Sequence, residues 1–155
     1  MAEIDIAITR QFSVSADFDT VWALLVDTQA TVEHYPSLEK LVDLGDHSWR
    51  WELQPTGVKN ISYQLIYSVR YGFDRDTGVI SWTPLKAEGD NGHIRGQFDI
   101  TTVDDKTSVT LTTDGSLDIP IPRLLAIAAK PLVEREFNQQ IEKFVGNLES
   151  ALNAG

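Results

Sequence analysis

Residues 121–153 read IPRLLAIAAKPLVEREFNQQIEKFVGNLESALN and predict one long amphipathic helix. Apolar residues recur at intervals of three and four, which places them on one stripe: Leu124, Ile127, Ala128, Leu132, Val133, Phe137, Ile141, Phe144, Val145, Leu148 and Leu152. Charged and amide side chains such as Arg135, Gln139, Glu142 and Glu149 occupy the opposite face. At about 1.5 Å per residue the helix would be roughly 45 Å long. A large apolar surface elsewhere in the chain must therefore cover its stripe.

Pro131 lies inside this predicted helix. Proline removes one backbone hydrogen bond and clashes with the preceding turn, and Gly146 weakens a helix by about 1 kcal/mol relative to alanine. We therefore expect either a kink near residues 127–130 or a short helix followed by a longer one. A movable lid and a simple packing adjustment both explain such a kink.

The chain before this helix is predicted to form mostly antiparallel strands. Residues 3–14 alternate apolar and polar side chains, except that Arg10 falls on the apolar side. A strand end or bulge that turns Arg10 outward explains this, and so does a cation reaching into a cavity. Two short helices follow, the first capped by Ser15 or Asp17 and the second covering about residues 29–34. Further strands are predicted at residues 38–44, 47–53, 61–73, 79–84, 93–103 and 107–119.

This order of elements predicts an α+β fold in one domain, residues 1–155. Hairpin turns every 10–15 residues favour an antiparallel meander over parallel βαβ units. We expect a curved antiparallel sheet of about seven strands wrapped around the long C-terminal helix, with two short helices after the first strand.

Composition restricts the possible functions. The chain has no cysteine, which excludes disulfides, thiol catalysis and cysteine-bound metal. Its formal charge is −10, from 23 acidic and 13 basic residues, and this argues against nucleic acid as a partner. No apolar run is long enough to cross a membrane and no signal peptide is evident, so we expect no stable membrane insertion and a cytoplasmic location.

Two segments of the sequence are the most specific part of a resemblance to a known family. They are residues 12–27, FSVSADFDTVWALLVD, and residues 35–38, YPSL, followed by Leu41 and Val42. The first resembles the opening strand and first helix of the START-like, or helix-grip, superfamily of polyketide cyclases and lipid-transport proteins, which includes the birch pollen allergen. The second is similar to the stretch where members of that superfamily leave the second short helix. The order of elements and the closing helix extend the resemblance to nearly the whole chain.

The resemblance implies a cavity between the curved sheet and the long helix. Superfamily members bind lipids, sterols, quinones or polyketides there, and some are cyclases or dehydratases. We predict a carrier or accessory protein that binds a small hydrophobic or aromatic ligand, lipid, quinone or polyketide-like. One alternative is a polyketide cyclase or dehydratase. Another is an accessory subunit that acts through protein–protein contacts.

Aromatic residues of the predicted sheet are the main candidates for ligand binding. Apolar pockets with a few polar atoms are typical of small-molecule sites, although the same residues would also make an ordinary sheet core. The predicted ligand-binding residues are Trp49, Trp51, Tyr63, Tyr67, Tyr71, Phe98 and Leu111 on the sheet, Leu124, Ile127 and Ala128 on the helix, and Arg10.

No catalytic residue, cofactor or metal site is predicted. Nucleotide-binding and nucleophile motifs are absent, and His34, His47 and His93 lack the spacing of metal ligands. If the chain is an enzyme, Arg10, Tyr63, Tyr67, His34 or Glu134 would be the candidate groups, but no two of them form a recognisable pair.

Overall fold

The structure, a computed structural model, describes residues 2–58 and 61–153. Its elements in chain order are β1 (Ala2–Val14), α1 (Phe18–Val26), α2 (Thr28–Val32), β2 (Leu38–Gly45), β3 (Ser48–Leu53), β4 (Thr56–Val58), β5 (Ile61–Tyr63), β6 (Ile66–Asp74), β7 (Val79–Pro84), β8 (Gly92–Val103), β9 (Lys106–Ile119) and α3 (Arg123–Asn153). The predicted α+β architecture is confirmed.

Seven strands form one antiparallel sheet in the order β1-β9-β8-β7-β6-β3-β2, while β4 and β5 form a separate ribbon. The pairing of β1 with β9 runs without a register shift from Ala2 opposite Ile119 to Val14 opposite Thr107. Even-numbered residues of β1 face the core, as the alternation predicted. Arg10 lies on the same side of β1 as the other even-numbered residues, within an unbroken register and four residues before the end of the strand. Our explanation of a bulge or strand end at Arg10 was therefore wrong.

The predicted strand over residues 61–73 is divided in two. Residues 64 and 65 lie between β5 and β6, and the Asn91 side chain satisfies backbone groups at the break. Its Oδ1 accepts from the Ile66 amide at 2.8 Å, and its Nδ2 donates to the Gln64 carbonyl at 2.6 Å. Because a side chain distant in sequence replaces strand pairing here, local alternation could not reveal the break.

The two short helices are joined through a shared aspartate. Asp17 caps α1, its carboxylate accepting from the Thr20 amide at 2.8 Å. Asp27 ends α1 and caps α2, accepting from the Ala30 amide at 3.1 Å. The second helix thus begins at Thr28 and ends at Val32, slightly earlier than predicted. Val21, Leu25 and Val32 of this pair are buried in the core.

The long helix α3 is continuous over 31 residues and contains Pro131. It does not divide into a short and a longer helix. Two contacts fix its second half to the start of the chain. The Asn153 side chain accepts from the Ser15 amide and hydroxyl at 2.9 and 3.1 Å, and Asn147 donates to the His34 carbonyl at 2.9 Å.

The apolar stripe was predicted correctly only from Val133 onward. The buried residues are Ala129, Val133, Ile141, Phe144, Leu148 and Leu152. Leu124 and Ile127 are 83% and 77% exposed, and Ala128 and Leu132 are exposed as well. A helix has 3.6 residues per turn, so the stripe followed back from Leu152 reaches Val133 and Ala129 and leaves these four residues on other faces.

Candidate ligand-binding site

A cavity of about 40 Å³ lies between the sheet, the short helices and α3; we call it the aromatic cavity. Its walls are predominantly apolar and come from all three parts of the fold: Leu25, Thr28, Thr31, Val32, Tyr35, Trp51, Tyr67, Val69, Tyr71, Trp82, Ile94, Phe98, Leu111, Thr113, Phe137, Ile141 and Phe144. The sequence resemblance implied a cavity at this place, and the structure has one.

Aromatic rings form a continuous chain around this cavity. Trp51 stacks on Tyr67 with ring centroids 5.3 Å apart and meets Tyr35 edge-on at 5.6 Å. Phe144 of α3 continues the chain, 5.4 Å from Tyr35 and 6.5 Å from Phe98. Trp82 then links Phe98 to Tyr71, at 5.3 and 5.8 Å. Edge-to-face and offset contacts of this kind stabilise aromatic clusters beyond the area that they bury.

The position of Trp82 depends on Gly96 in the neighbouring strand. Trp82 pairs with Gly96 in the register of β7 and β8. A methyl group at Gly96 would lie 2.6 Å from the Trp82 ring, which is closer than carbon atoms approach. The absence of a side chain at Gly96 therefore lets the indole lie flat against β8 and face the cavity.

The aromatic cavity contains a few polar atoms. The Trp51 indole N–H is buried and lies beside the Tyr71 hydroxyl. Burial raises the pKa of the Tyr71 hydroxyl, and a side-chain hydrogen bond with Trp51 partly opposes this rise. Burial also raises the pKa of Tyr67, and repulsion between its phenolate and those of Tyr35 and Tyr71 adds to the effect. These hydroxyls therefore stay protonated near neutral pH and act as hydrogen-bond donors.

A second cavity of about 50 Å³ adjoins the first; we call it the polar cavity. It is lined by Tyr35, Ser37, Leu53, Gln54, Thr56, Tyr63, Leu65, Leu117, Val133, Glu136, Phe137 and Gln140. Among the residues that the structure describes, only Tyr35 and Phe137 line both cavities. These two aromatic side chains thus form the partition between an apolar compartment and a more polar one.

The predicted site residues fall into three groups. Trp51, Tyr67, Tyr71, Phe98 and Leu111 line the aromatic cavity, and Tyr63 lines the polar cavity. Trp49 lies apart from both, in an open surface groove beside Trp22 and Phe73. Leu124, Ile127 and Ala128 are exposed on α3 and line neither cavity. Their placement was wrong because the helical stripe was continued too far toward residue 124.

Arg10 also lies outside both cavities, although it is on the inward-facing side of β1. Its guanidinium donates to the Thr9 carbonyl at 3.0 Å and approaches Glu142 of α3 at 3.8 Å. Both side chains are substantially exposed, at 36% and 68%. Pairs of this kind contribute at most about 1 kcal/mol. Our alternative explanation, a cation reaching into the cavity, was therefore wrong as well.

Several lining residues were missed, although three of them carried a signal in the sequence. Trp82 alternates with Ile80 in β7 and so shares its inward side. Phe137 and Phe144 were on the predicted helix stripe but were passed over in favour of its first turns. Tyr35 reaches the site from the turn after α2, and no periodic pattern places such a residue.

Within residues 2–58 and 61–153, no helix is long and apolar enough to span a membrane. The same part of the chain contains no cluster of three or more histidine, aspartate or glutamate side chains positioned to bind a metal ion.

A curved antiparallel sheet holding a long C-terminal helix defines the helix-grip, or START-like, fold. Three solved structures have it in common with this chain. The Zhui aromatase/cyclase from Streptomyces sp. R1128 is 17% identical, with a TM-score of 0.69 over 96% of this chain and 93% of that one. A START superfamily protein from Mycobacterium smegmatis is 16% identical, with a TM-score of 0.64 over 94% and 96%. Norcoclaurine synthase from Thalictrum flavum is 15% identical, with a TM-score of 0.61 over 97% and 95%.

At these identities the likeness shows the fold alone. No protein-family model matches the chain, and no curated protein matches it significantly. The START-like, helix-grip architecture expected from the sequence is confirmed, whereas the activities of these neighbours belong to them.

Proposed function

We propose that this chain is a carrier or accessory protein that binds a small hydrophobic or aromatic ligand, lipid, quinone or polyketide-like, between the sheet and α3. The observation that carries the proposal is the chain of aromatic side chains around an apolar cavity that is also lined by Trp51 and three tyrosines, Tyr35, Tyr67 and Tyr71. A ligand carbonyl would accept a hydrogen bond from one of these indole or phenol donors. The cytoplasmic location remains a prediction from composition.

The proposed ligand requires the two cavities to open into one. Small-molecule pockets usually measure about 300–1,000 Å³, and an apolar cavity of about 150 Å³ is known to bind benzene. The aromatic and polar cavities, at about 40 and 50 Å³, are smaller. Rotation of Phe137, which is half-buried on α3, would remove part of the partition between them. Binding thus includes the free-energy cost of moving this side chain.

Replacing Phe137 with alanine is therefore expected to strengthen ligand binding, by about tenfold, or about 1.4 kcal/mol. The probe is 2-methyl-1,4-naphthoquinone, whose binding would quench the fluorescence of Trp51 and Trp82 at the cavity wall. Leu124→Ala on the same helix is the matched control, because Leu124 is 83% exposed and its truncation should leave affinity unchanged. Equal quinone affinities of the native chain and Phe137→Ala would contradict the role of Phe137 as a partition, and absence of binding by both would exclude a quinone ligand.

Native mass spectrometry of protein purified from its own host tests the proposal without choosing a probe. A stoichiometric lipid, quinone or polyketide, identified after extraction, would support the binding function. The cyclase or dehydratase alternative would be favoured if that molecule were converted to a new product during incubation with the protein. The protonated tyrosine hydroxyls would then be the groups available to donate a hydrogen bond to a substrate carbonyl.

The accessory-subunit alternative is favoured by the exposed apolar side chains at the start of α3. A shallow groove beside Ile127 combines acidic side chains of β1 and β9 with basic ones of α3: Glu3, Asp5, Asp118, Arg123 and Lys130. Because both signs of charge occur on one surface, a second copy of the chain related by a twofold axis would be complementary to it.

We expect sedimentation equilibrium to show a dimer that Leu124→Glu dissociates. A native chain that stays monomeric at all concentrations would exclude this dimer, whereas co-purification with a larger enzyme would favour the accessory-subunit alternative.

A further inference from the structure

The polar cavity contains a buried hydrogen-bond acceptor without a partner. Gln140 lies on α3 and its Nε2 donates to a carboxylate oxygen of Glu136, one turn earlier, at 3.0 Å. A carboxylate accepts and does not donate, so this contact fixes which end of the Gln140 amide is nitrogen. The amide oxygen, Oε1, therefore points away from Glu136. It is buried and has no hydrogen-bond partner among residues 2–58 and 61–153.

Glu136 adds negative charge to the same cavity. Burial raises the pKa of the Tyr63 and Tyr35 hydroxyls, and the charge on Glu136 raises both pKa values further. Within the described parts of the chain, no lysine, arginine or histidine nitrogen lies within 4.0 Å of the Glu136 carboxylate. The residues that line the cavity therefore include a carboxylate and a glutamine whose amide oxygen is unpaired, and both groups are acceptors.

An acceptor pair of this kind is complementary to a donor on the ligand. Leaving a buried acceptor unpaired is unfavourable, and a hydrogen bond from a charged donor is stronger than one from a neutral donor. A carboxylate or phosphate on the ligand would instead be repelled by Glu136. The aromatic cavity, on the other side of Tyr35 and Phe137, offers space for an apolar body.

We infer that the polar cavity binds a hydrogen-bond-donating head group, an ammonium or a hydroxyl, of an amphipathic ligand whose apolar body enters the aromatic cavity. This inference rests on the proposed function and specifies the polarity of the ligand and its orientation. Glu136 and Gln140 Oε1 accept from the head group, and the aromatic chain contacts the body.

Isothermal titration calorimetry with three naphthalene probes of similar size tests the inference: 1-naphthylmethylamine, 1-naphthalenemethanol and 1-naphthoate. The amine and the alcohol are expected to bind at least about tenfold more tightly than the carboxylate. Glu136→Gln should reduce the ratio of amine to carboxylate affinity to about threefold or less. Gln140→Leu should weaken the amine and the alcohol together, because it removes the amide oxygen.

Glu142→Gln is the matched control, since it removes the same charge from the exposed face of the same helix and should not change the ratio. Equal affinities for the amine and the carboxylate, or a ratio unaffected by Glu136→Gln, would overturn the inference while quinone binding still supported the proposed function. Failure of the quinone and of all three naphthalene probes would instead refute the proposed function. Thermal melting of each variant separates a change in binding from a loss of folding.

Discussion

Replacing Phe144 with alanine is expected to lower the free energy of unfolding by about 3–5 kcal/mol. Phe144 is 5% exposed and connects three parts of the fold, because its ring meets Tyr35 after α2 and Phe98 in β8 while its backbone belongs to α3. Truncation removes a large apolar side chain next to a cavity that already exists. The surrounding aromatic rings are held by their own contacts, so they can fill only part of the new space.

Urea denaturation of the native chain and the variant gives the difference in unfolding free energy. Phe73→Ala is the appropriate control, since Phe73 is 36% exposed in β6, where its ring contacts His47 and Tyr71. It should lose less than about 1 kcal/mol. A loss of similarly small size for Phe144→Ala would mean that α3 is not packed against the aromatic rings as described.

Stability is expected to fall steeply as the pH rises above about 10, the pKa of tyrosine in an unfolded chain. Burial raises the pKa of Tyr35 and Tyr67 in the folded protein. Above pH 10 the unfolded chain loses protons that the folded chain retains, so unfolding becomes more favourable. The stability that comes from keeping these two hydroxyls buried and protonated is fully present below about pH 10. It is lost as the pH rises toward their pKa values in the folded protein. The two residues together contribute a slope of about 3 kcal/mol per pH unit.

Tyrosinate absorbance and far-ultraviolet circular dichroism, followed in one alkaline titration, measure this effect. Tyr35 and Tyr67 should ionise only as the circular dichroism signal is lost, in a single transition. In Tyr67→Phe the slope should be smaller by about 1.4 kcal/mol per pH unit. Ionisation of all four tyrosines before any loss of secondary structure would contradict the burial of these hydroxyls.

The sheet and its contribution to the site could be predicted because successive side chains of a strand point to opposite faces of the sheet. Alternation placed the core-facing residues of β1, and it also assigned Trp51, Tyr67 and Phe98 to the side that lines the cavity. The helix was harder to predict, since apolar residues on several of its faces allowed more than one stripe. Of the possible stripes, the buried one passes through Ala129 and Val133. Packing of the helix against the sheet determines this choice, and the spacing of apolar residues along the helix does not show it.

Features that depend on distant residues could not be predicted. The break before β6 depends on Asn91, about 25 residues away along the chain. The partition between the cavities is formed by Tyr35 and Phe137, which are distant in sequence. The Gln140 amide oxygen is left without a partner because the amide nitrogen of the same side chain donates to the Glu136 carboxylate. Each requires knowledge of which side chains meet in three dimensions.

Pro131 has no amide hydrogen, so the carbonyl of Ile127, four residues earlier, has no donor at its usual place in α3. Near it, Leu124 and Ile127 are largely exposed, whereas Asn147 and Asn153 hold the other end of the helix by side-chain hydrogen bonds. Local unfolding of α3 should therefore begin in its first two turns and require little free energy. Val133, Glu136 and Phe137, which line the polar cavity, follow directly after Pro131. The part of the helix that opens most easily is thus adjacent to one wall of the polar cavity.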